Sequence, residues 1–178
     1  MESSNKQQTE DNFKDMIGDE AIEKIKLLAG KGGSCFFCTN IKIGKSFSTR
    51  PMAPELIDDN GSFWFLSAND SYKNKELHED STAQLLFQGS EYSDFMTLYG
   101  NVNISTNKNK IDELWKPIMK TWFTEGKDDS RITVLEFVPS EGYYWDTKNN
   151  MLVGMDKRAY GAIVGETYDD SIEGTIRP

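Results

Sequence analysis

Residues Ser46-Phe-Ser-Thr-Arg-Pro-Met-Ala-Pro-Glu-Leu-Ile-Asp-Asp-Asn-Gly-Ser-Phe-Trp-Phe-Leu-Ser-Ala-Asn-Asp-Ser-Tyr-Lys73 decide how this chain reads. Two strand-like runs flank Asn60-Gly61, the dipeptide that best supports the positive φ angles of a tight hairpin. The first run carries Arg50. The second, Phe63 to Ser67, empties into Ala-Asn-Asp-Ser-Tyr-Lys, which reads as the capped start of a short helix. A hairpin leading into a helix start gathers a guanidinium, a hydroxyl, an ammonium and unsatisfied backbone N–H groups, the donor set a phosphate monoester requires. The same stretch also suits an ordinary amphipathic hairpin with solvated charges, since lone Arg or Ser-x-Lys signals are common.

The rest of the composition narrows the partners. A chain of 178 residues suits one domain with a sizeable core, and 12% aromatic residues make that core rich in rings. The net charge of −9 argues against nucleic acid or an anionic membrane as the main partner, while leaving room for a local cationic pocket. No apolar run reaches the roughly 20 residues of a membrane span, and the N-terminus lacks a signal-peptide core. The expectation is a soluble cytoplasmic protein.

Cys35 and Cys38 have a C-x-x-C spacing, but in the strand-like frame Ser-Cys-Phe-Phe-Cys-Thr. A redox pair needs its first thiol at a helix N-terminus, and strand positions i and i+3 point to opposite faces. One His and no second Cys pair make a zinc site poor, so buried structural cysteines are expected and no metal.

In chain order, residues 1–10 have almost nothing to bury and read as a disordered lead-in. Phe13, Met16, Ile17, Ile22, Ile25 and Leu28 recur at helical spacing from Asp11 to Ala29, with a break near Gly18 and Asp19 as a cap for the second piece. Gly30, Gly32 and Gly33 end it. Strands are expected over Ser34–Ile41, Thr82–Gln88, Asp94–Ser105, with Gly100 as a bulge or close approach, and Arg131–Val138, broken by Pro139. Lys73 to His78 reads as a short helix. Ile111, Leu114, Trp115, Ile118, Met119 and Trp122 form a helical stripe that Pro117 interrupts. Met151–Met155 reads as a last short strand. The domain is expected to span 11–158 and the tail, 159–178, to be irregular.

This order predicts a mainly β, α+β fold: about six antiparallel-type strands forming a small barrel with peripheral helices. Such a barrel fills itself with side chains, so a larger ligand lies outside it, and a groove between two copies is the natural place.

The ordered set Ser48-Thr-Arg-Pro-Met52, Phe63 to Lys73, Leu114-Trp-Lys-Pro117, Thr121 to Asp129 and Tyr143-Tyr-Trp-Asp146 resembles the general stress protein branch of the pyridoxamine 5'-phosphate oxidase-like, FMN-binding split-barrel family. The resemblance covers about residues 20 to 155. It implies a six-stranded antiparallel split β-barrel, a homodimer and a flavin, FMN or FAD, at the subunit interface. It implies that Arg50, Ser71 and Lys73 hold the phosphate, and that Thr49, Pro51, Met52 and Ala53 run beside the isoalloxazine. Ser67 and Ala68 then approach the ring system, Gln88 touches the flavin, and Trp122 and Trp145 come from the partner subunit. Asp70 would repel a phosphate and is expected to cap the helix instead.

One departure matters. The true oxidases end in an Arg-rich segment, whereas this chain ends Asp-Asp-Ser-Ile-Glu-Gly-Thr-Ile-Arg-Pro, which argues against vitamin B6 oxidation. No nucleophile, acid/base pair or metal cluster stands out, and His78 reads as a surface residue. Three readings remain: a flavin-binding stress protein with weak or no turnover, a flavin-dependent oxidoreductase using reduced nicotinamide, and a flavin-free interaction module.

Overall fold

The computed structural model describes residues 12–90, 93–148 and 171–178. Strand β1 (Met16–Ile17) leads through Gly18 into helix α1 (Asp19–Gly32), followed by β2 (Cys35–Thr39), β3 (Ser48–Met52), β4 (Leu56–Ile57) and β5 (Phe63–Ala68). Helix α2 (Tyr72–Glu79), β6 (Thr82–Gln88), β7 (Phe95–Ser105) and helix α3 (Lys108–Leu114) come next. Two 3-10 turns (Pro117–Thr121 and Gly126–Asp128), β8 (Ile132–Thr147) and β9 (Ser171–Arg177) complete the chain.

The fold is mainly β, α+β in class, built on one mixed sheet of nine strands in the order β1-β9-β8-β7-β6-β2-β3, with β5 on β8 and β4 on β5. Strand β8 is its spine. Its first part, Ile132–Phe137, pairs with β5 and its last, Gly142–Thr147, with β9, while its other edge runs along β7.

Three strands separate β2 from β5 in this order, so a flat sheet would hold them about 19 Å apart. Yet Phe37 of β2 meets Phe65 of β5 edge-on at 5.3 Å, and Phe63 lies 5.5 Å from Phe87 of β6. The sheet therefore curls around a phenylalanine core, which α1 closes with Ala21, Ile25, Leu28 and Ala29. Among the described residues no pairing joins β3 to β5, so the hydrogen-bonded order stays open. The sheet exceeds the six antiparallel strands expected because β1, β4 and β9 add to it, and β1 on β9 is parallel.

Strand β5 separates two apolar layers. Phe63 and Phe65 face the main core, whereas Trp64, Leu66 and Ala68 face a second cluster formed by Ile111 and Leu114 of α3, Met119, Phe123, Ile132 and Val134. This alternation is why the polar end of β5, at Ser67 and Ala68, lies between the layers. The helical stripe broken at Pro117 is realised as α3 plus the first 3-10 turn, and Cys35 and Cys38 are buried free thiols.

Several expectations are corrected. The Arg50 run does not form a hairpin across Asn60-Gly61; β3 pairs with β2, and the turn joins β4 to β5. Only Gly61 of the dipeptide takes a positive φ (81°), and Asp58 organises the turn by accepting from the Asn60 and Ser62 amides, both at 3.0 Å. Met16–Ile17 is a strand rather than helix, and Gly18, not Asp19, occupies the cap position of α1. Ser71, not Asp70, caps α2: its Oγ accepts from the Asn74 amide.

Pro139 does not end its strand. It faces Gly100 at a register shift where β8 also changes partner from β5 to β9, so the missing N–H leaves no ladder position empty. Gly100 is required there, since a Cβ would stand 2.1 Å from the Val138 carbonyl oxygen. Residues 171–177 form β9 rather than irregular tail, because they pair antiparallel with Gly142–Thr147 of β8 while Met16 and Ile17 cover their other edge. The readings of 1–10 as lead-in and of Met151–Met155 as a strand lie outside the described residues, as does the expected tail over 159–170. Among the described residues no helix is long and apolar enough to cross a membrane.

Candidate functional site

The C-terminal ends of β3 and β5, the first turn of α2 and the 3-10 turn after α3 converge on a concave pocket of about 440 Å³. Pro51, Met52 and Ala53 form one wall, and Leu66, Ser67 and Ala68 a second. Met119, Trp122 and Phe123 form the third, and Lys73 and Glu55 are the charged groups. Two strand ends meet here because β5 pairs with the spine strand while β3 lies on the far edge of the curled sheet. The volume is within the range of small-molecule sites, which are apolar clefts with a few fixed polar groups.

The polar end is built by α2. Ser67 Oγ lies 3.4 Å from Ser71 Oγ, and the buried Asn74 donates from Nδ2 to the Ala68 carbonyl at 2.5 Å and to Thr133 Oγ1 at 2.9 Å. Thr133 in turn donates to the Ser67 carbonyl at 3.0 Å. These bonds fix the first turn of the helix against the end of β5, so the Lys73 side chain is carried into the pocket. Asn74 Oδ1 is left buried without a donor.

Lys73 is the pocket's cation. Burial holds its pKa below the ordinary lysine value, Arg50 nearby pushes the same way, and Asp70 partly offsets both. An ammonium that is partly desolvated and has no carboxylate within ion-pair distance among the described residues is stabilised by any anion that reaches it.

Arg50 is committed elsewhere. Its Nη1 donates to Thr39 Oγ1 at 2.6 Å and its Nη2 to Glu76 Oε2 at 2.9 Å. Glu76 also accepts from Ser48 Oγ at 2.6 Å and from Thr39 Oγ1 at 2.5 Å. Burial works to raise the Glu76 pKa, but these donors and the Arg50 charge outweigh it and hold the carboxyl below its ordinary value.

Of the residues singled out by sequence, Pro51, Met52, Ala53, Ser67, Ala68, Lys73 and Trp122 share this pocket. Trp122 does so within its own chain, whereas the resemblance implies a contribution from the partner. Thr49 lies one residue back on β3, 3.5 Å from Cys38 Sγ, and Ser71 spends its hydroxyl as helix cap. Gln88 borders a second concavity of about 340 Å³ with Phe36, Phe87 and Phe95, and donates to the Ser90 carbonyl at 3.1 Å. Trp145 packs on Tyr143 with ring centroids 4.7 Å apart, on the β9-paired part of β8. Cys35 also borders the second concavity, but burial, with Cys38 beside it, pushes its thiol up to about 12, so it is no nucleophile at neutral pH.

Glu55, Glu76 and Phe123 were not singled out. Glu76 lies one helical turn beyond Lys73, yet its contact with β2 and β3 becomes visible only once Asn74 and Leu77 are known to be the buried positions of α2.

Residues 20–169 match the family described as Pyridoxamine 5'-phosphate oxidase like. No curated protein matches the sequence. Among solved structures, a candidate general stress protein 26 from Jannaschia sp. CCS1 is similar at 23% identity and a TM-score of 0.72, over 88% of this chain and 97% of that one. A Clostridium acetobutylicum protein related to general stress protein 26, of the pyridoxinephosphate oxidase family, gives 19% identity and 0.59, over 72% and 89%. The general stress FMN/FAD binding protein of Xanthomonas citri gives 19% and 0.55, over 67% and 84%. At these identities the likeness is one of fold.

Proposed function

Because this chain belongs to the pyridoxamine 5'-phosphate oxidase-like family, we propose that it is a flavin-binding protein of the general stress type that takes FMN or FAD into the Lys73 pocket. The observation that carries this reading is the pairing, in one pocket, of an ammonium that has no ion-pair partner among the described residues with an apolar slot. The donor set fits the cofactor. Lys73 and the first amides of α2 suit a phosphate, and Met52, Ala53, Leu66, Ala68 and Trp122 suit a flat aromatic ring system. Ser67 offers the ring a hydroxyl. When bound, the flavin would supply the redox chemistry, accepting or donating electrons at its ring, while the protein sets access and electrostatics.

A homodimeric split barrel belongs to the same reading. Trp122, 64% exposed at the pocket, Ile118, 66% exposed on the 3-10 turn before it, and Phe36, 56% exposed on β2, are apolar surface that a second copy would cover. Trp145 and Gln88, away from this pocket, would then serve the flavin of the partner.

The test is an absorbance spectrum and FMN titration of the purified chain, with a sizing run alongside. Saturable binding with flavin bands and a dimer-sized peak supports the proposal. A folded protein that binds neither FMN nor FAD removes the flavin assignment and leaves the fold standing.

A further inference from the structure

Arg50, Thr39 and Glu76 form a closed hydrogen-bonded ring. Arg50 donates to Thr39 and to Glu76, and Thr39, itself fully buried, donates its hydroxyl hydrogen bond to Glu76 Oε2. Ser48 supplies the other carboxylate oxygen with a donor. The Arg50 and Glu76 side chains are only 22% and 21% exposed. Swinging the guanidinium toward a ligand would leave the Glu76 carboxylate with only its neutral Ser48 and Thr39 donors and no counter-charge in a half-dry site, which is costly. Lys73, one turn earlier on the same helix, has no carboxylate within ion-pair distance among the described residues, and it feels the Arg50 charge as a repulsion that Asp70 partly offsets.

We infer that Glu76 sets the anion affinity of the pocket: it neutralises and holds Arg50 as a positioning residue, leaving Lys73 as the cation that contacts the anion. This rests on the flavin reading of the pocket. Without the Glu76 charge, Arg50 on β3 and Lys73 at the head of α2 would be two uncompensated cations, a stronger phosphate trap in a less stable empty protein. With it, Arg50, Glu76 and Lys73 together carry about one net positive charge, which Asp70 partly offsets, while Glu55 on the other wall is paired with Lys116, and preference for a phosphorylated over a neutral flavin is moderate.

The experiment compares FMN with riboflavin, whose affinity ratio isolates the phosphate, by fluorescence quenching of the full chain. Lys73→Gln should lower that ratio about tenfold. Arg50→Gln should lower it only about threefold, because the uncompensated Glu76 carboxylate then faces the phosphate, and Glu76→Gln should raise it about threefold or more, because a second cation does. A loss of the ratio in Arg50→Gln as large as in Lys73→Gln would make Arg50 a direct ligand and overturn the inference, as would an unchanged or lower ratio in Glu76→Gln. The double variant Arg50→Gln/Glu76→Gln restores local neutrality and should keep the wild-type ratio even if either single variant folds poorly. Should wild type bind neither flavin, the flavin reading fails. The same variants titrated with inorganic phosphate, followed through the amide resonances of residues 71–74, then decide the roles of Glu76 and Arg50 by the same ordering of affinities.

Discussion

Two helices present lysines to the sheet, and they do so differently. Under α1, Lys24 donates to Asp146 and Lys31 to Asp94, and Lys31 also lies 4.0 Å from Asp146. Asp146 and Asp94 are 6% and 7% exposed. At the head of α2, Lys73 is partly buried with no ion-pair partner among the described residues, while the nearby guanidinium is bound to Glu76. The first arrangement is complete without a ligand and serves to hold α1 over the ends of β7 and β8. The second is incomplete, and the missing charge is negative. On the proposed function, partial burial without a partner among the described residues, rather than the presence of a lysine, is what marks the binding site.

The sharpest break of the comparison is Asp146→Asn. Lys24, whose side chain is 13% exposed, would lose its carboxylate and keep its burial. Removing one partner of such a pair costs about 3 kcal/mol or more. In a domain of this size that lowers the melting temperature by roughly 6–12 °C. Thermal unfolding checks it, and the FMN-to-riboflavin ratio of the folded variant should not change. A change in that ratio would mean the α1 cluster reaches the pocket.

Lys73→Ala should behave in the opposite way. Flavin mononucleotide affinity should drop about tenfold, near 1.4 kcal/mol, by fluorescence titration. Stability should stay level or rise, because the folded chain then no longer holds a partly desolvated ammonium. A clear loss of stability would place Lys73 with the structural lysines.

The two clusters also part company in pH. Asp94 is held below its ordinary value: burial works to raise it, but Lys31, Ser93 and its other donors outweigh that. Glu76 is lowered in the same sense by its donors. A lowered carboxyl stabilises the fold above the unfolded value and loses that contribution as pH falls through the folded one. Acid titration should therefore weaken the fold below about pH 4, the unfolded carboxylate range. Lys73 is lowered too, but a lysine lowered in the fold disfavours folding while charged, and that cost fades as pH rises toward the unfolded value. On the alkaline side, FMN affinity should fall as pH climbs through the depressed Lys73 value, with riboflavin affinity unaffected. Parallel titrations of the two flavins read this out.

What could be read in the sequence follows the range of the interactions. Strand β6 and the interrupted helical stripe rest on local alternation and spacing, and both formed where the pattern placed them. Met52, Ala53, Ser67, Ala68 and Lys73 share one pocket because each sits at an element end that local signals could mark. The β1–β9 pair was not legible, since Met16 meets Ile176 across nearly the whole chain. Gly174, where a Cβ would meet the Lys14 carbonyl oxygen at 2.0 Å, signals close packing only once that neighbour is known. At Pro139 a sound local rule lost to a bulge that Gly100 permits. Arg50 was singled out as a cation, but its partner Glu76 depends on how α2 lies across β2 and β3, and no periodicity records that.

Lys116 offers the smallest and most discriminating test of the comparison. Its Nζ reaches Glu55 at 2.8 Å, linking the segment that carries Met119, Trp122 and Phe123 to the segment between β3 and β4. Glu55 is 18% exposed but Lys116 is 56% exposed, so the pair is half wet. Lys116→Gln should cost under about 1 kcal/mol, as exposed pairs do. It should weaken FMN and riboflavin together by less than about threefold, because it loosens a pocket wall without touching the phosphate end. Calorimetry and the paired flavin titrations decide. If Lys116→Gln costs as much stability as Asp146→Asn, pairing alone would govern the lysines, and the contrast between α1 and α2 could not rest on burial. If it selectively weakens FMN by about tenfold or more, as Lys73→Ala should and beyond what the uncovered Glu55 charge accounts for, Lys116 is a second anion contact and the single-cation account of Lys73 fails.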